Sequence, residues 1–142
     1  MIKNLQFKAM ALTLAWATLV PDSQADVVVV ASAKSDVSTL TQKQVTDLFL
    51  GKIRAFPNGN PAITAIIESG PLRDEFLSMV LDKTDSQARS TWSRLVFTGT
   101  GNAPKEVKDS TETKKLIAHN PNIVGVIDKS ALDASVKVIF AP

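Results

Sequence analysis

Residues 63–81 read ITAIIESGPLRDEFLSMVL, and this stretch predicts a strand, a tight turn and a helix. The apolar, β-branched residues that open it are typical of a strand, whereas Ser69, Gly70 and Pro71 are turn formers that a continuing strand would not tolerate. We therefore expect the strand to stop at about Glu68. Pro71 suits the first helical position, because the N–H that proline lacks would have no partner there.

The helix after this turn is expected to be amphipathic. Its residues Leu72, Phe76, Met79 and Val80 fall at i, i+4, i+7 and i+8, which places them on one face of a helix. The stretch is therefore a complete strand–turn–helix unit.

The turn itself has the composition of an anion seat. Free backbone N–H groups at the helix start, the positive end of the helix dipole, the Ser69 hydroxyl and the Arg73 guanidinium can converge on an anion there. An ordinary strand-to-helix turn explains the same residues, with Arg73 paired to Asp74, to Glu75 or to solvent. From the residues alone both interpretations stay open, and the plain turn is the simpler one.

The first 25 residues predict a cleavable secretory signal peptide. Lys3 and Lys8 precede the apolar run 9–20, and Ser23 and Ala25 form a small-residue cleavage site. The run is shorter than the roughly 20 residues that a spanning helix needs, so an uncleaved anchor is the less favoured alternative. The sequence contains no cysteine to carry a lipid or a disulfide, and we expect a periplasmic protein rather than a lipoprotein.

Residues 26–142 are expected to form a single domain with an almost balanced charge. Lys3, Lys8 and Asp22 belong to the predicted signal peptide, so 14 basic and 13 acidic residues remain. This balance gives no support to a nucleic-acid partner.

Helices and strands are predicted to alternate along this domain. The continuous β-branched run Val27 to Val30 is typical of a strand buried on both faces, as in a parallel sheet. The other predicted elements are helices over Gln42 to Leu50, from Thr84 to about Phe97 and from Asp109 to His119, and strands over Ile123 to Ile127 and Val136 to Phe140. Their order predicts an α/β three-layer sandwich with a mainly parallel sheet.

The sequence contains little that points to catalysis. Its one histidine, His119, lies at a predicted helix end, where capping of the helix is the simpler role. No spacing typical of a metal site or of a Ser-His-Asp triad is present. We therefore expect a binding protein without a cofactor, and not an enzyme.

Two further loops are weaker candidates for an oxyanion site. Ser32 and Lys34 follow the first strand and are expected to open on the same edge of the sheet as the Ser69 turn. The second loop supplies Thr98, Gly99, Thr100 and Gly101. Its glycines allow a close approach of backbone to ligand, and they also suit a plain surface turn.

Several segments resemble, in order, the phosphate-binding protein of the ABC phosphate importer, a type II periplasmic solute-binding protein. They are LTQKQVTDLFLGKIRAFPNG, SGPLRDEF, the Trp92 region running into TGTGN, and NPNIVGVIDKSAL. The chain resembles still more closely the short exported proteins known as phosphate ABC transporter substrate-binding-like. The resemblance implies a lobe of the periplasmic binding protein fold, with inorganic phosphate as ligand.

The chain departs from this family in two respects. Full-length phosphate binders are about twice as long and close two lobes over the ion, so half of the clamp has no counterpart here. Their second-lobe signature is Arg-x-x-x-Ser-Gly-Thr; Ser69 and Gly70 match it, whereas Ala65 stands at the arginine position and Pro71 at the threonine position.

The leading prediction is an exported, non-enzymatic solute-binding protein for phosphate or a similar small oxyanion, linked to transport or sensing. Its predicted site is formed by Ser69, Gly70, Pro71, Leu72 and Arg73. The resemblance suggests the membrane subunits of an ABC transporter or a membrane sensor as partners, and a second copy of the chain could complete the cleft. The alternative is a periplasmic regulatory or assembly module that kept the fold but binds a protein partner.

Overall fold

The computed structural model describes residues 26–142, and the predicted signal peptide lies outside these residues. In chain order the elements are β1 Val27–Ser32, α1 Gln42–Phe49, β2 Ile63–Ile67, α2 Pro71–Phe76, a π-helical turn Leu77–Leu81, α3 Asp85–Thr98, β3 Lys105–Val107, α4 Ser110–His119, β4 Ile123–Asp128, a 3₁₀ turn Lys129–Ala131 and β5 Val136–Phe140.

The five strands form one mixed sheet in the order β3-β2-β4-β1-β5. Strand β2 runs parallel to both of its neighbours, whereas β1 runs antiparallel to β4 and to β5. Four strands thus point the same way and β1 alone points the other way. The predicted α/β fold class is confirmed, with β1 as the exception to the parallel arrangement. The apolar run of β1 indicates that the strand is buried on both faces of the sheet. A strand can be buried in this way whether it runs parallel or antiparallel to its neighbours.

Helices cover both faces of the sheet and bury a separate core on each. On one face, α1, α2 and α3 pack against alternate strand residues, and the rings of Phe49 and Phe76 meet edge to face with centroids 4.7 Å apart. On the other face, Ile117 of α4 lies in a smaller cluster with Val28 and Val30 of β1. The layers are therefore helix, sheet and helix, as predicted.

The helix starts follow local sequence signals. Thr41 caps α1 and Thr84 caps α3, each with a glutamine three residues later that bonds back to the cap, so both are capping boxes. Asp109 caps α4 by accepting a bond from the Glu112 N–H. The predicted end of β2 at about Glu68 and the start of α2 at Pro71 are confirmed as well, since the strand ends at Ile67.

The apolar face predicted after Pro71 is only partly correct. Phe76 and Val80 are buried, but Met79 is 48% exposed and Leu77 and Leu81 are buried in its place. The cause is the π-helical turn, which has more residues per turn than an α-helix. It therefore rotates the following side chains away from the positions that α-helical spacing predicts.

Candidate functional site

The Ser69–Gly70–Pro71 turn lies at the carboxyl end of β2 and is exposed. Gly70 has φ 98° and ψ −177°, a conformation that is essentially restricted to glycine. No atom lies within 4 Å of the position that a Cβ would take there, so the surface in front of the turn is open.

The start of α2 leaves hydrogen-bond donors unused. Its first helical bond runs from the Asp74 N–H to the Gly70 carbonyl, at 3.1 Å. The N–H groups of Leu72 and Arg73 have no partner within residues 26–142, and no side chain caps this helix. Together with the Ser69 hydroxyl they form a small set of donors at the positive end of a helix, which is suited to an anion.

A second helix, α4, starts at the same edge of the sheet, but two carboxylates lie at its start. Asp109 accepts a bond from the Glu112 N–H at 2.9 Å, and Glu112 accepts one from the Lys108 N–H at 2.7 Å. Two carboxylates therefore lie at this terminus, and their negative charge disfavours an added anion. Of these two helix starts, that of α2 is the one without a side-chain cap.

The Arg73 side chain is directed into the protein. It is 2% exposed, its Nε lies 2.7 Å from Asp85 Oδ1, and its Nη1 lies 3.0 Å from the Ile67 carbonyl and 3.4 Å from Glu106 Oε1. Its Cζ is 5.6 Å from the centroid of the Trp92 ring, a cation–π distance. Arg73 thus pairs with Asp85 and not with Asp74 or Glu75. Its Nε and Nη1 are committed to partners within the protein, whereas the buried Nη2 has no hydrogen-bond partner among residues 26–142.

Arg89 completes an ion-pair network around Arg73. Its Nε lies 2.8 Å from Asp85 Oδ2 and its Nη1 lies 3.3 Å from Glu106 Oε1. Hydrogen bonds from Arg89 and then from Arg73 hold the pKa of Asp85 below its usual value, and the same Asp85 bond raises the pKa of Arg89. Two cations face two carboxylates, so the network offers no net charge to an anion. The i, i+4 spacing of Asp85 and Arg89 indicates their ion pair in the sequence, whereas no pattern in the sequence places Glu106 beside them.

The signature position of the family arginine is closed to a long side chain. Ala65 is fully buried in β2 and packs against Gly125 of the neighbouring strand. The predicted seat is therefore left with backbone amides and a hydroxyl.

The weaker candidates lie at the opposite edge of the sheet. Ser32 pairs with Val136 at the start of β5, so the expectation that Ser32 and Lys34 open on the same edge as Ser69 is wrong. The reason is the reversed direction of β1. The loop of Thr98, Gly99, Thr100 and Gly101 precedes β3 and also lies at the amino-terminal edge of the parallel strands.

Hydrogen bonds within the protein already engage the hydroxyls of these weaker candidates. The Ser32 hydroxyl accepts a bond from the Lys34 N–H at 3.1 Å, and the hydroxyls of Thr98 and Thr100 lie 2.8 Å apart. The eleven predicted residues thus form two groups at opposite edges, and the anion role of each stays a prediction.

Metal ligands are not clustered in the described part of the chain, where no group of three or more His, Cys, Asp and Glu residues is placed to hold an ion. His119 ends α4, and its Nδ1 lies 2.7 Å from the Lys115 carbonyl, a contact within its own helix. None of the helices within residues 26–142 has the length and apolar character needed to cross a membrane.

Comparison with solved structures finds a similar fold in several proteins described as parts of phosphate transporters. A Clostridium perfringens protein described as a phosphate ABC transporter substrate-binding protein, solved with bound phosphate, has a TM-score of 0.63 and 21% identity over 80% of this chain. An ABC-type phosphate transport receptor from Vibrio cholerae gives 0.62 and 21%, and PstS from Borrelia burgdorferi gives 0.59 and 12%, again over 80% of this chain. No sequence profile of a known family and no curated protein matches the chain.

The match covers less than half of each relative. The aligned region is 44% of the Clostridium protein, 45% of the Vibrio protein and 46% of the Borrelia protein. The resemblance to phosphate ABC transporter substrate-binding proteins is confirmed at the level of the fold, and the chain has the α/β fold of one lobe of these periplasmic binding proteins.

Proposed function

We propose that this chain is a non-enzymatic solute-binding protein that takes phosphate or a similar small oxyanion at the Ser69–Gly70–Pro71 turn. The observation that carries the proposal is the uncapped start of α2, where the Leu72 and Arg73 amides have no partner among the described residues beside an exposed serine hydroxyl. The similarity of the fold to phosphate-transport proteins supports the choice of ligand.

The available donors favour weak binding. A hydrogen bond to a charged group contributes about 1.5–3 kcal/mol, and a dissociation constant of about 1 mM corresponds to about 4 kcal/mol. Two amides and one hydroxyl can therefore support millimolar affinity, but they leave several oxygens of a phosphate in contact with water. Tighter binding would need a second surface, for which a second copy of the chain or a membrane partner is suited.

Arg73 acts in this proposal as a positioning residue. Its Nη1 bonds to the carbonyl of Ile67, the last residue of β2, and its Nε bonds to Asp85 at the start of α3. The turn from Glu68 to Gly70 starts at this point, so the arginine fixes the end of the strand from which the turn departs.

The export route and the partners belong to the proposal too. A cleavable signal peptide in residues 1–25 would deliver the protein to the periplasm, and the membrane subunits of an ABC transporter or a membrane sensor would then receive the loaded lobe.

Thermal shift with inorganic phosphate tests the binding proposal. Phosphate at about 20 mM is expected to raise the melting temperature relative to sodium chloride of equal ionic strength, because a ligand that binds only the native state stabilises it. Ser69→Ala should reduce the shift, whereas Ser90→Ala, which removes an exposed hydroxyl from α3, should leave it unchanged. No shift and no heat of binding at this concentration would exclude a phosphate site.

A protein-binding module is the second candidate function, and the surface of α3 favours it. Phe97 is 92% exposed and Val96 is 58% exposed, beside the edge strand β3. Exposed apolar side chains next to an open strand edge are suited to a polypeptide partner. Capture of a periplasmic partner by the native chain, lost in Phe97→Ser and unaffected by phosphate, would favour this function.

A further inference from the structure

A cavity of about 290 Å³ opens at the amino-terminal edge of the parallel strands, at the opposite edge of the sheet from Ser69. Its walls come from the loop between α1 and β2, from the loop between α3 and β3, and from Ile63 and Thr64 at the start of β2. The cavity is thus separate from the proposed oxyanion site.

The two loops are held against each other by close packing. Gly51 has φ 73°, and a Cβ there would lie 2.5 Å from Leu95 Cδ1, so only glycine fits without a shift. Gly101 approaches the same leucine and the Gly51 carbonyl, at 3.4 and 3.7 Å for a Cβ. Glycines in both loops therefore let the walls of the cavity meet.

Backbone hydrogen bonds fix the longer loop. The N–H groups of Lys52 and Ile53 bond to the Asp47 carbonyl at 2.8 and 3.2 Å, and the Ala62 N–H bonds to the Arg54 carbonyl at 2.9 Å. The cavity is consequently a preformed feature of the fold.

The charge of the cavity is unbalanced. Arg54 and Lys105 line it, no carboxylate does, and neither cation has an ion-pair partner among residues 26–142. This contrasts with Arg73 and Arg89, which share two carboxylates. Two unpaired cations at one concave surface attract an anion.

The remaining walls define the body of the ligand. Leu48, Ile53 and Ile63 supply apolar surface, while Thr64 and Asn102 supply a hydroxyl and an amide. Sites for small molecules are mostly apolar with a few polar groups, and they usually start at about 300 Å³. Inorganic phosphate would leave the apolar walls in water, whereas an anion with a short hydrocarbon part would cover them.

We propose that this cavity binds a small organic anion, with its negative group held by Arg54 and Lys105 and its apolar part against Leu48, Ile53 and Ile63. The proposal does not depend on phosphate binding at Ser69, because the two sites share no residue.

Titration of the isotope-labelled protein with hexanoate, followed by ¹⁵N–¹H correlation spectra, tests this proposal. Hexanoate should shift the amides of Thr64, Gly101 and Lys105 in a saturable way, and acetate should bind more weakly because it lacks the apolar part. Hexylammonium has the same chain and the opposite charge, and it should produce no shift at these positions.

Charge-removal variants sharpen the test. Arg54→Gln combined with Lys105→Gln should weaken hexanoate binding by about tenfold, whereas Lys52→Gln should change it by less than about twofold. Lys52 is the matched control because it is an exposed cation of the same loop that does not line the cavity. All three positions are exposed, so the variants should fold, which a circular-dichroism melt verifies.

Three outcomes would overturn the proposal. They are the absence of shifts at about 20 mM hexanoate, equal binding of hexylammonium, and shifts confined to the exposed Val96–Phe97 surface. Loss of phosphate binding in Ser69→Ala with hexanoate binding retained would show that the two sites are independent.

Discussion

Arg73 connects three parts of the molecule at the level of single atoms. Its guanidinium bonds to the end of β2 through Ile67, to the start of α3 through Asp85 and to the edge strand β3 through Glu106. The side chain is buried while both carboxylates are roughly half exposed. Arg73 is therefore a structural cation whose partners reach solvent.

Removal of this cation is expected to destabilise the fold. Arg73→Gln should lower the free energy of unfolding by about 2–4 kcal/mol, because it breaks a buried ion-pair network and leaves a gap beside Trp92. Urea denaturation gives the value directly. Arg94→Gln, an exposed change on α3, is the matched control and should stay within about 0.5 kcal/mol of the native protein. Equal stability of the two variants would refute the structural role.

Acid should weaken the same network. The pKa of Asp85 is lowered in the fold by bonds from Arg89 and Arg73, so its contribution is present above the unfolded pKa of about 4 and is lost as pH falls through the folded pKa. Between about pH 5 and pH 3 the native protein should lose more stability than Asp85→Asn does.

A second carboxyl adds to this acid sensitivity. Hydrogen bonds from Ser135 and Lys114 lower the pKa of Asp133 to about 2. In Asp85→Asn the free energy of unfolding should therefore still fall as the pH is lowered. In Asp85→Asn with Asp133→Asn it should fall less. Parallel pH profiles for the native protein and the double variant would contradict this assignment.

Helix α4 packs on the sheet through a contact between one small residue and one methyl group. A Cβ at Gly125 of β4 would lie 2.3 Å from Cγ2 of Thr113, which is completely buried. The Thr113 hydroxyl also reaches the Val126 carbonyl at 3.3 Å. Gly125 thus sets the distance between helix and sheet.

Overpacking at this contact should be reversible by a compensating change. Gly125→Ala is expected to cost about 1–3 kcal/mol of unfolding free energy, because no space remains for the methyl. Thr113→Ser removes the opposing methyl but keeps the hydroxyl, and the double variant should recover most of the loss. Urea denaturation of the four proteins of this double-mutant cycle measures the coupling. Additive effects would show that the two residues are not in contact.

Most helices and strands were predictable from signals within a few neighbouring residues. Features that depend on contacts between distant parts of the chain were not. The helix starts at Thr41 and Thr84 were predictable, because a capping box is complete within four residues. Strand β3 was missed, since it has three residues and two of them are exposed and charged. Nothing in the sequence indicates that β1 is antiparallel to its neighbours, because the strand's pattern of buried residues is the same in either direction.

The same distinction applies to the site. The Ser69–Gly70–Pro71 turn was predictable, because turn residues and a proline at the first helical position act locally. The direction of Arg73 was not, because its carboxylate partners Asp85 and Glu106 lie 12 and 33 residues further along the chain. The cavity between Gly51 and Gly101 joins two loops that are far apart in sequence, so no local pattern indicated it.

Across the whole molecule, the sheet separates the two proposed binding surfaces. The carboxyl edge of the parallel strands presents the open turn before α2, and the amino edge presents the cavity with Arg54 and Lys105. The chain spans less than half the length of its structural relatives. A single lobe of this kind would expose the proposed anion seat to water, which is consistent with the weak affinity proposed.

The start of α2 is proposed to bind phosphate through its free amides. The most direct measurement is a phosphate titration of the isotope-labelled protein, with chloride at equal ionic strength as the control. Phosphate should shift the Leu72 and Arg73 amides in a saturable way, with a dissociation constant of about 1 mM, and the shifts should be much smaller in Ser69→Ala. Phosphate-induced changes that spare both amides, or that chloride reproduces, would contradict it.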